Sequence, residues 1–184
     1  MQQVTATRSE LLARRARIAL AAQGRDVLEQ KRDSLMEEFR ATVDVAIAGR
    51  NALQDAAVEG RRALAAAEAR DGPEAVRCAA MAEPGQISLT TRETSVMGVR
   101  IADIQHEPVG RPRSARGYSF AGSSPSLDRV AEAHEAELAL LLDSATVELR
   151  LRRIADEIGT TTRRINALES VVLPTLERER NQIT

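Results

Sequence analysis

The sequence predicts a mainly α protein. A long antiparallel two-helix coiled-coil hairpin, made by the two ends of the chain, carries a small head with a short helix and a β-hairpin. Three observations predict it. Apolar residues recur at helical spacing over residues 5–70 and again over residues 126–184, while glycine and proline crowd the stretch between. Aromatic residues make up only 2% of the chain although 43% of it is hydrophobic, so Ala, Leu, Val and Ile must do the packing, which suits close helix–helix contact. The two helical stretches also match in length: at 1.5 Å per residue the second spans roughly 90 Å, and the first is about as long. The expected organisation is one elongated domain, with a first helix over 5–70, a head over 71–125 and a last helix over 126–184.

The first helix should start near Thr5 or Thr7, where Thr7 and Glu10 have the spacing of a capping box. Its stripe runs through Leu11, Ile18, Leu28, Leu35, Phe39, Val43, Ile47, Leu53, Ala57 and Leu64. The steps are mostly threes, fours and sevens, which puts these residues on one face. Seven-residue steps (Val4–Leu11–Ile18 and Leu28–Leu35) favour a left-handed supercoil. Gly24, Gly49 and Gly60 each cost about 1 kcal/mol relative to Ala, which tertiary pairing must offset.

Asp71-Gly72-Pro73-Glu74 breaks and restarts the chain, with Asp71 a candidate cap and Pro73 an early helical residue. A short helix over about 74–82 follows, ended by Pro84-Gly85. Residues 86–91 and 96–104 then alternate with period two. Ile87 and Leu89, and Val99 and Ile101, are the inward pairs, and Arg92–Thr94 is the expected turn of a β-hairpin. Two strands alone are marginal in water, so the hairpin must lean on the helices or on a partner. Pro108, Gly110, Pro112, Gly117 and Gly122 make residues 105–124 a loop. Ser124 or Ser126 caps the last helix. Its stripe is Leu127, Val130, His134, Leu138, Leu141, Ala145, Leu149, Ile154, Ile158, Ile165, Leu168, Val172 and Leu176. Pro174 should kink it, because proline removes a backbone donor and crowds the preceding turn.

The net charge of -1 gives no global basic field for nucleic acid or anionic lipid. Lys31 is the only lysine, an Arg-over-Lys bias that points to a GC-rich, bacterial genome. A single Cys78 excludes an internal disulfide and a multi-cysteine metal site. No stretch has the ~20 apolar residues of a membrane span, and the N-terminus lacks the apolar run of a signal peptide. The expected place is therefore the cytoplasm or the cytoplasmic side of a membrane machine.

Chemistry-bearing residues are sparse, and the expectation is no catalytic, cofactor-binding or metal-binding residue. The glycines over 110–122 lack the GxxxxGK[ST] pattern of a phosphate loop. His134 lies on the apolar stripe and reads as a packed histidine; His106, beside Glu107, can titrate but forms no catalytic constellation. Glu37-Glu38 and Asp156-Glu157 are adjacent on helices, do not face each other, and read as solvated charges. Three arginine clusters (Arg14, Arg15 and Arg17; Arg111, Arg113 and Arg116; Arg150, Arg152 and Arg153) are interleaved with acids, and only Tyr118 and Phe120 lie near one, so nucleic-acid binding is not favoured. Solvated faces, or contacts with an acidic protein sleeve, fit them better.

Four segments in order resemble the D subunits of the V-type/archaeal-type rotary ATPases: TRSELLARRARIALAAQGRDVLEQKRDSLMEEF over 7–39, VMGVRIADI over 96–104, GYSFAGSSPSL over 117–127, and TRRINALESVVLPTL over 162–176. The Lys31-Arg32-Asp33 triplet, VMGV and the RxNALE segment before a helix proline are the most specific. The resemblance implies a non-catalytic central-stalk rotor shaft. Such a shaft carries torque between a catalytic nucleotide-binding ring and the membrane rotor of a proton- or sodium-translocating ATPase or ATP synthase. It implies as partners the catalytic and non-catalytic ring subunits (A and B type), the F subunit and the socket subunit of the membrane rotor (C/d type), with no nucleic acid and no direct membrane insertion. Residues 7–28 and 162–184 would face the ring, and residues 86–120 would form the partner-binding head. Family members usually continue beyond the NALE segment further than Thr184, so the expectation is a shaft shorter at its inner end that still couples. The alternative is a coiled-coil adaptor or chaperone-like clamp, which should expose apolar residues at tips that here carry Thr7, Arg8, Arg178 and Asn181.

Overall fold

A computed structural model describes residues 7–82, 85–119 and 123–183 of the chain. The markers Val4, Thr5, Pro84, Phe120, Gly122 and Thr184 lie outside them. The first helix, α1 (Arg8–Asp71), begins at a threonine cap: Glu10 N–H donates to Thr7 Oγ1 at 3.2 Å, and Leu11 N–H to the Thr7 carbonyl. Only half of the expected capping box forms, because the Glu10 carboxylate turns forward to Arg14, one helical turn on, at 3.0 Å.

Asp71 does not cap the next helix. It is the last residue of α1, and its carboxylate accepts a hydrogen bond from the Ser124 hydroxyl. The cap of α2 (Pro73–Ala80) is Gly72, whose φ of 84° suits a residue with no Cβ. Pro73 takes the first helical position, where its missing N–H costs nothing.

The hairpin is present but its turn is displaced from Arg92–Thr94. Strands β1 (Leu89–Val96) and β2 (Val99–His106) are joined through Met97 and Gly98, with φ of 50° and 79°. Positive φ at both central residues is what a type I′ two-residue turn demands, and its twist matches that of the strands. VMGV therefore is not continuous strand; its glycine marks the turn. Val99 and Ile101 are buried as expected, whereas Leu89 is exposed.

A 3-10 turn at Arg113–Ala115 interrupts the following loop. Ser124 then caps α3 (Pro125–Ala167), accepting from Leu127 N–H at 3.3 Å, with Pro125 as the first helical residue. The last helix is not continuous. A π-turn over Leu168–Val172, closed by Leu173 N–H on the Leu168 carbonyl, separates α3 from α4 (Leu173–Ile183). Pro174 has no N–H for the Ser170 carbonyl, so the wider turn takes up the break just before the proline.

The chain divides into two compact units. One comprises the described parts of Met1–Ala41, Met97–Val99 and Arg152–Thr184; the other, Thr42–Val96 and Arg100–Leu151. In the first, the start of α1 pairs antiparallel with the end of the chain: Arg14 meets Glu179 and Lys31 meets Glu157. Its fully buried apolar residues include Leu35 and Ile154, each contributing about 1.5–3 kcal/mol of hydrophobic burial. In the second unit small residues let the two helices approach. A Cβ on Gly49 would lie 3.6 Å from Ser144 Oγ, Gly60 is buried beneath the His134 ring, and Ala67 is completely buried.

Gly24 is different, for nothing lies within 4 Å of where its Cβ would be. Gly24→Ala should therefore add about 0.5–1 kcal/mol of stability in a urea unfolding series, through helix propensity alone.

Candidate coupling surfaces

The first unit is held by a core of Leu35, Ile154, Thr161 and Ile165, flanked by cross-helix ion pairs. Arg14 Nη1 sits 2.9 Å from Glu179 while Nη2 holds Glu10 at 3.0 Å, so one guanidinium ties two turns of α1 to α4. Lys31 Nζ donates to Glu157 Oε1 at 2.5 Å, with both side chains more than two-thirds buried. Glu157 is thus no solvated-face charge: the chain's only lysine engages it. Lys31 belongs to the KRD triplet, whose Arg32 and Asp33 pair with each other on the exposed side.

Thr161 is fully buried and its hydroxyl has no partner, whereas neighbouring Thr160 and Thr162 bond back to the Asp156 and Ile158 carbonyls. A buried, unsatisfied hydroxyl costs roughly 1–3 kcal/mol. The near-isosteric Thr161→Val should accordingly raise the unfolding free energy by about 1 kcal/mol, checked by chemical denaturation.

Opposite this core, α1 exposes Leu12, Leu20 and Val27, spaced by eight and seven residues and offset from the buried stripe, and the π-turn exposes Val171. At the same end Thr7, Arg8, Arg178 and Asn181 are exposed.

In the second unit one arginine of the loop, Arg116, turns inward, while Arg111 and Arg113 stay partly exposed beside it. Arg116 is buried, donates to both oxygens of Glu135 at 3.3 and 3.0 Å, and reaches Asp128 Oδ1 at 3.3 Å. Tyr118 OH donates to the same Asp128 oxygen at 2.7 Å. Arg113 lies 3.1 Å from Asp128, and Arg111 3.6 Å from Glu135. Burial alone would lower the Arg116 pKa; its hydrogen bonds to Glu135 and Tyr118 outweigh that and raise it, so it is a fixed cation. Burial, then the bond to Asp128, raises Tyr118. This cluster staples the loop to the first turns of α3. The expectation of solvated or sleeve-facing arginines fails for Arg116, which is buried against Asp128 and Glu135. The missed signal was an acid ladder, Asp128, Glu132 and Glu135, on one face of the helix just after the three arginines.

His134 is also corrected: it is nearly half exposed and bonded to Glu137 at 3.0 Å, not packed in a core. Other stripe positions (Ile47, Leu141, Leu149 and Val172) are exposed as well. Val43, Val45, Ile47 and Leu53 of α1, with Leu140 and Val147 of α3, line an open apolar groove of about 920 Å³. Cys78 is exposed on α2. No group of three or more His, Cys, Asp or Glu residues suited to a metal ion occurs among the described residues.

The family model for the ATP synthase D subunit matches residues 10–184. The chain belongs to the ATP synthase D-subunit family. It is 39% identical to the A-type ATP synthase D subunit of Haloarcula marismortui, over 94% of this chain and 75% of that protein. It is 38% identical to the A-type D subunit of Thermococcus gammatolerans, over 95% of this chain and 81% of the relative. It is 39% identical to the V-type ATP synthase D subunit of Thermus thermophilus, over 95% and 76%. As a member of this family, the chain is part of an ATP synthase complex, which is membrane-associated. None of its described helices is long and apolar enough to cross a membrane.

Proposed function

We propose that this D subunit is the central-stalk rotor shaft of a V/A-type proton- or sodium-translocating ATPase or ATP synthase, a non-catalytic part that carries torque between a nucleotide-binding ring and a membrane rotor. The observation that carries the reading is the tying of α1 to the end of the chain within the first unit. Arg14–Glu179 and Lys31–Glu157 tie the two helices on which Leu35, Ile154 and Ile165 are buried, so a twist applied to one helix loads the other. A single helix would bend and fray; a packed pair resists torsion.

On this reading residues 7–28 and 162–184 face the ring of A- and B-type subunits. Exposed Leu12, Leu20 and Val27 offer that sleeve a smooth apolar line without a large anchoring side chain. The π-turn at Leu168–Val172 makes the ring-facing end unequal on its sides, which a part that imposes different states on surrounding sites requires. The head, residues 86–120, would bind the F subunit and seat on the C/d-type socket of the membrane rotor. The chain would act peripherally on the cytoplasmic side of the membrane. The Arg-over-Lys bias is read as that of a GC-rich, bacterial genome.

The alternative, an adaptor or clamp, would also present apolar residues near its tips, as Leu12, Leu20 and Val27 are. Co-expression with A- and B-type ring subunits and the F subunit separates the two. The shaft should co-purify with the ring and confer ATP-driven rotation. A free homodimer that leaves the ring unaltered would sink the shaft reading.

A further inference from the structure

We infer that His106 and Asp143 form a pH-sensitive latch, which holds the end of β2 on α3 while His106 is doubly protonated and loosens when it loses a proton. The argument starts from donors and acceptors. His106 Nδ1 lies 2.9 Å from the Glu107 carbonyl oxygen, and Nε2 lies 3.2 Å from Asp143 Oδ1. A carbonyl and a carboxylate oxygen only accept. A neutral imidazole has one N–H and can satisfy one of them; the imidazolium satisfies both. The geometry is therefore that of the cation.

The latch sits where it matters for the hairpin. His106 ends β2, and Asp143 projects from α3 in the same unit. Nearby, Thr146 Oγ1 donates to the Ile104 carbonyl at 3.4 Å, and Glu107 N–H donates to the Ser88 carbonyl. These neutral ties persist at any pH, and buried Ile101 and Val109 anchor either side. Loss of the latch thus frees the end of the strand without releasing the hairpin.

The charged surroundings are simple. From α3 the ring meets Asp143, the charge that acts on it, and from the residue after β2 it meets the Glu107 carbonyl; Ser88, just before β1, bonds Glu107 N–H through its own carbonyl. From α1, Arg50 lines the groove that Asp143 borders. The bond to the Glu107 carbonyl, then that to Asp143, raises the His106 pKa above its ordinary 6.5, and burial opposes them less strongly. A raised folded-state pKa means the latch is complete below about pH 6.5 and is lost as pH rises through the higher folded value.

The test is amide hydrogen exchange of the full chain between about pH 5 and 9, corrected for intrinsic base catalysis, alongside NMR titration of both histidine rings. Protection of residues 103–107 should fall about two- to fivefold across the His106 titration, the scale of an exposed ion pair. His106→Gln should abolish the step, and Asp143→Asn should shrink it and lower the His106 midpoint. His134→Gln should leave it intact, since that ring bonds Glu137 instead. A wild-type profile without a step, a step that survives His106→Gln, or one that vanishes with His134→Gln would each overturn the latch.

Discussion

Replacing Arg116 with Met should destabilise the chain by about 3 kcal/mol, the lower end of the roughly 3–5 kcal/mol range for breaking a buried ion pair. The Arg116 side chain is 3% exposed, and its partners Asp128 and Glu135 are 7% and 12% exposed. Methionine fills much of the volume but leaves two shielded carboxylates facing each other's field. The lower end is expected because Arg113 stays 3.1 Å from Asp128 and Arg111 3.6 Å from Glu135. Arg116→Lys should fall between, because an ammonium is a point charge and cannot hold both oxygens of Glu135 while reaching Asp128. Arg113→Ala should cost under about 1 kcal/mol, because that side chain is 55% exposed. Urea unfolding of the three variants gives the ranking. Equal losses for Arg116→Met and Arg113→Ala would show that the loop is held by general charge balance and not by one buried guanidinium.

The elements were legible in the sequence to different depths. The helices were legible because their signal is repetitive: Leu11 to Ile18 and Leu28 to Leu35 are both seven-residue steps, with a step of ten between the two pairs, and each helix averages over many turns. Caps were legible where one side chain acts on the next few residues, as Thr7 and Ser124 do. Asp71 misled because an acid next to a glycine reads as a cap, when its partner is Ser124, 53 positions away. The hairpin turn was misplaced because Met97 has positive φ, which few sequences announce for a methionine. The same distance problem hid the functional detail. Lys31 and Glu157 are 126 positions apart, and nothing local marks Glu157 as other than a surface acid. Stripe positions such as Ile47 and Leu141 show the limit of periodicity. Spacing says which face of a helix a residue is on; it does not say how wide the covered part of that face is.

Ala21→Pro should have the other large effect, and it tests function as well as stability. Residue 21 lies inside α1, in the pairing region of the first unit. A proline there removes the N–H that bonds the Arg17 carbonyl and drives its ring into that carbonyl, at a cost of about 3 kcal/mol or more. Pro174 shows what the chain needs in order to accept a proline in a long helix: a π-turn over the five residues Leu168–Val172. No such turn precedes residue 21, so α1 must bend or open there. Ala21→Gly is the control, costing about 1 kcal/mol through backbone entropy without imposing a bend. If the shaft reading holds, a complex carrying Ala21→Gly should pump ions on ATP at near wild-type rates, while one carrying Ala21→Pro should lose most pumping. The loss should persist under conditions where the Ala21→Pro chain is folded and bound, because torque delivery fails when the rod bends. ATP-driven pumping by the Ala21→Pro complex at the wild-type rate, with circular dichroism showing the helix intact, would remove the mechanical argument for this chain as a shaft.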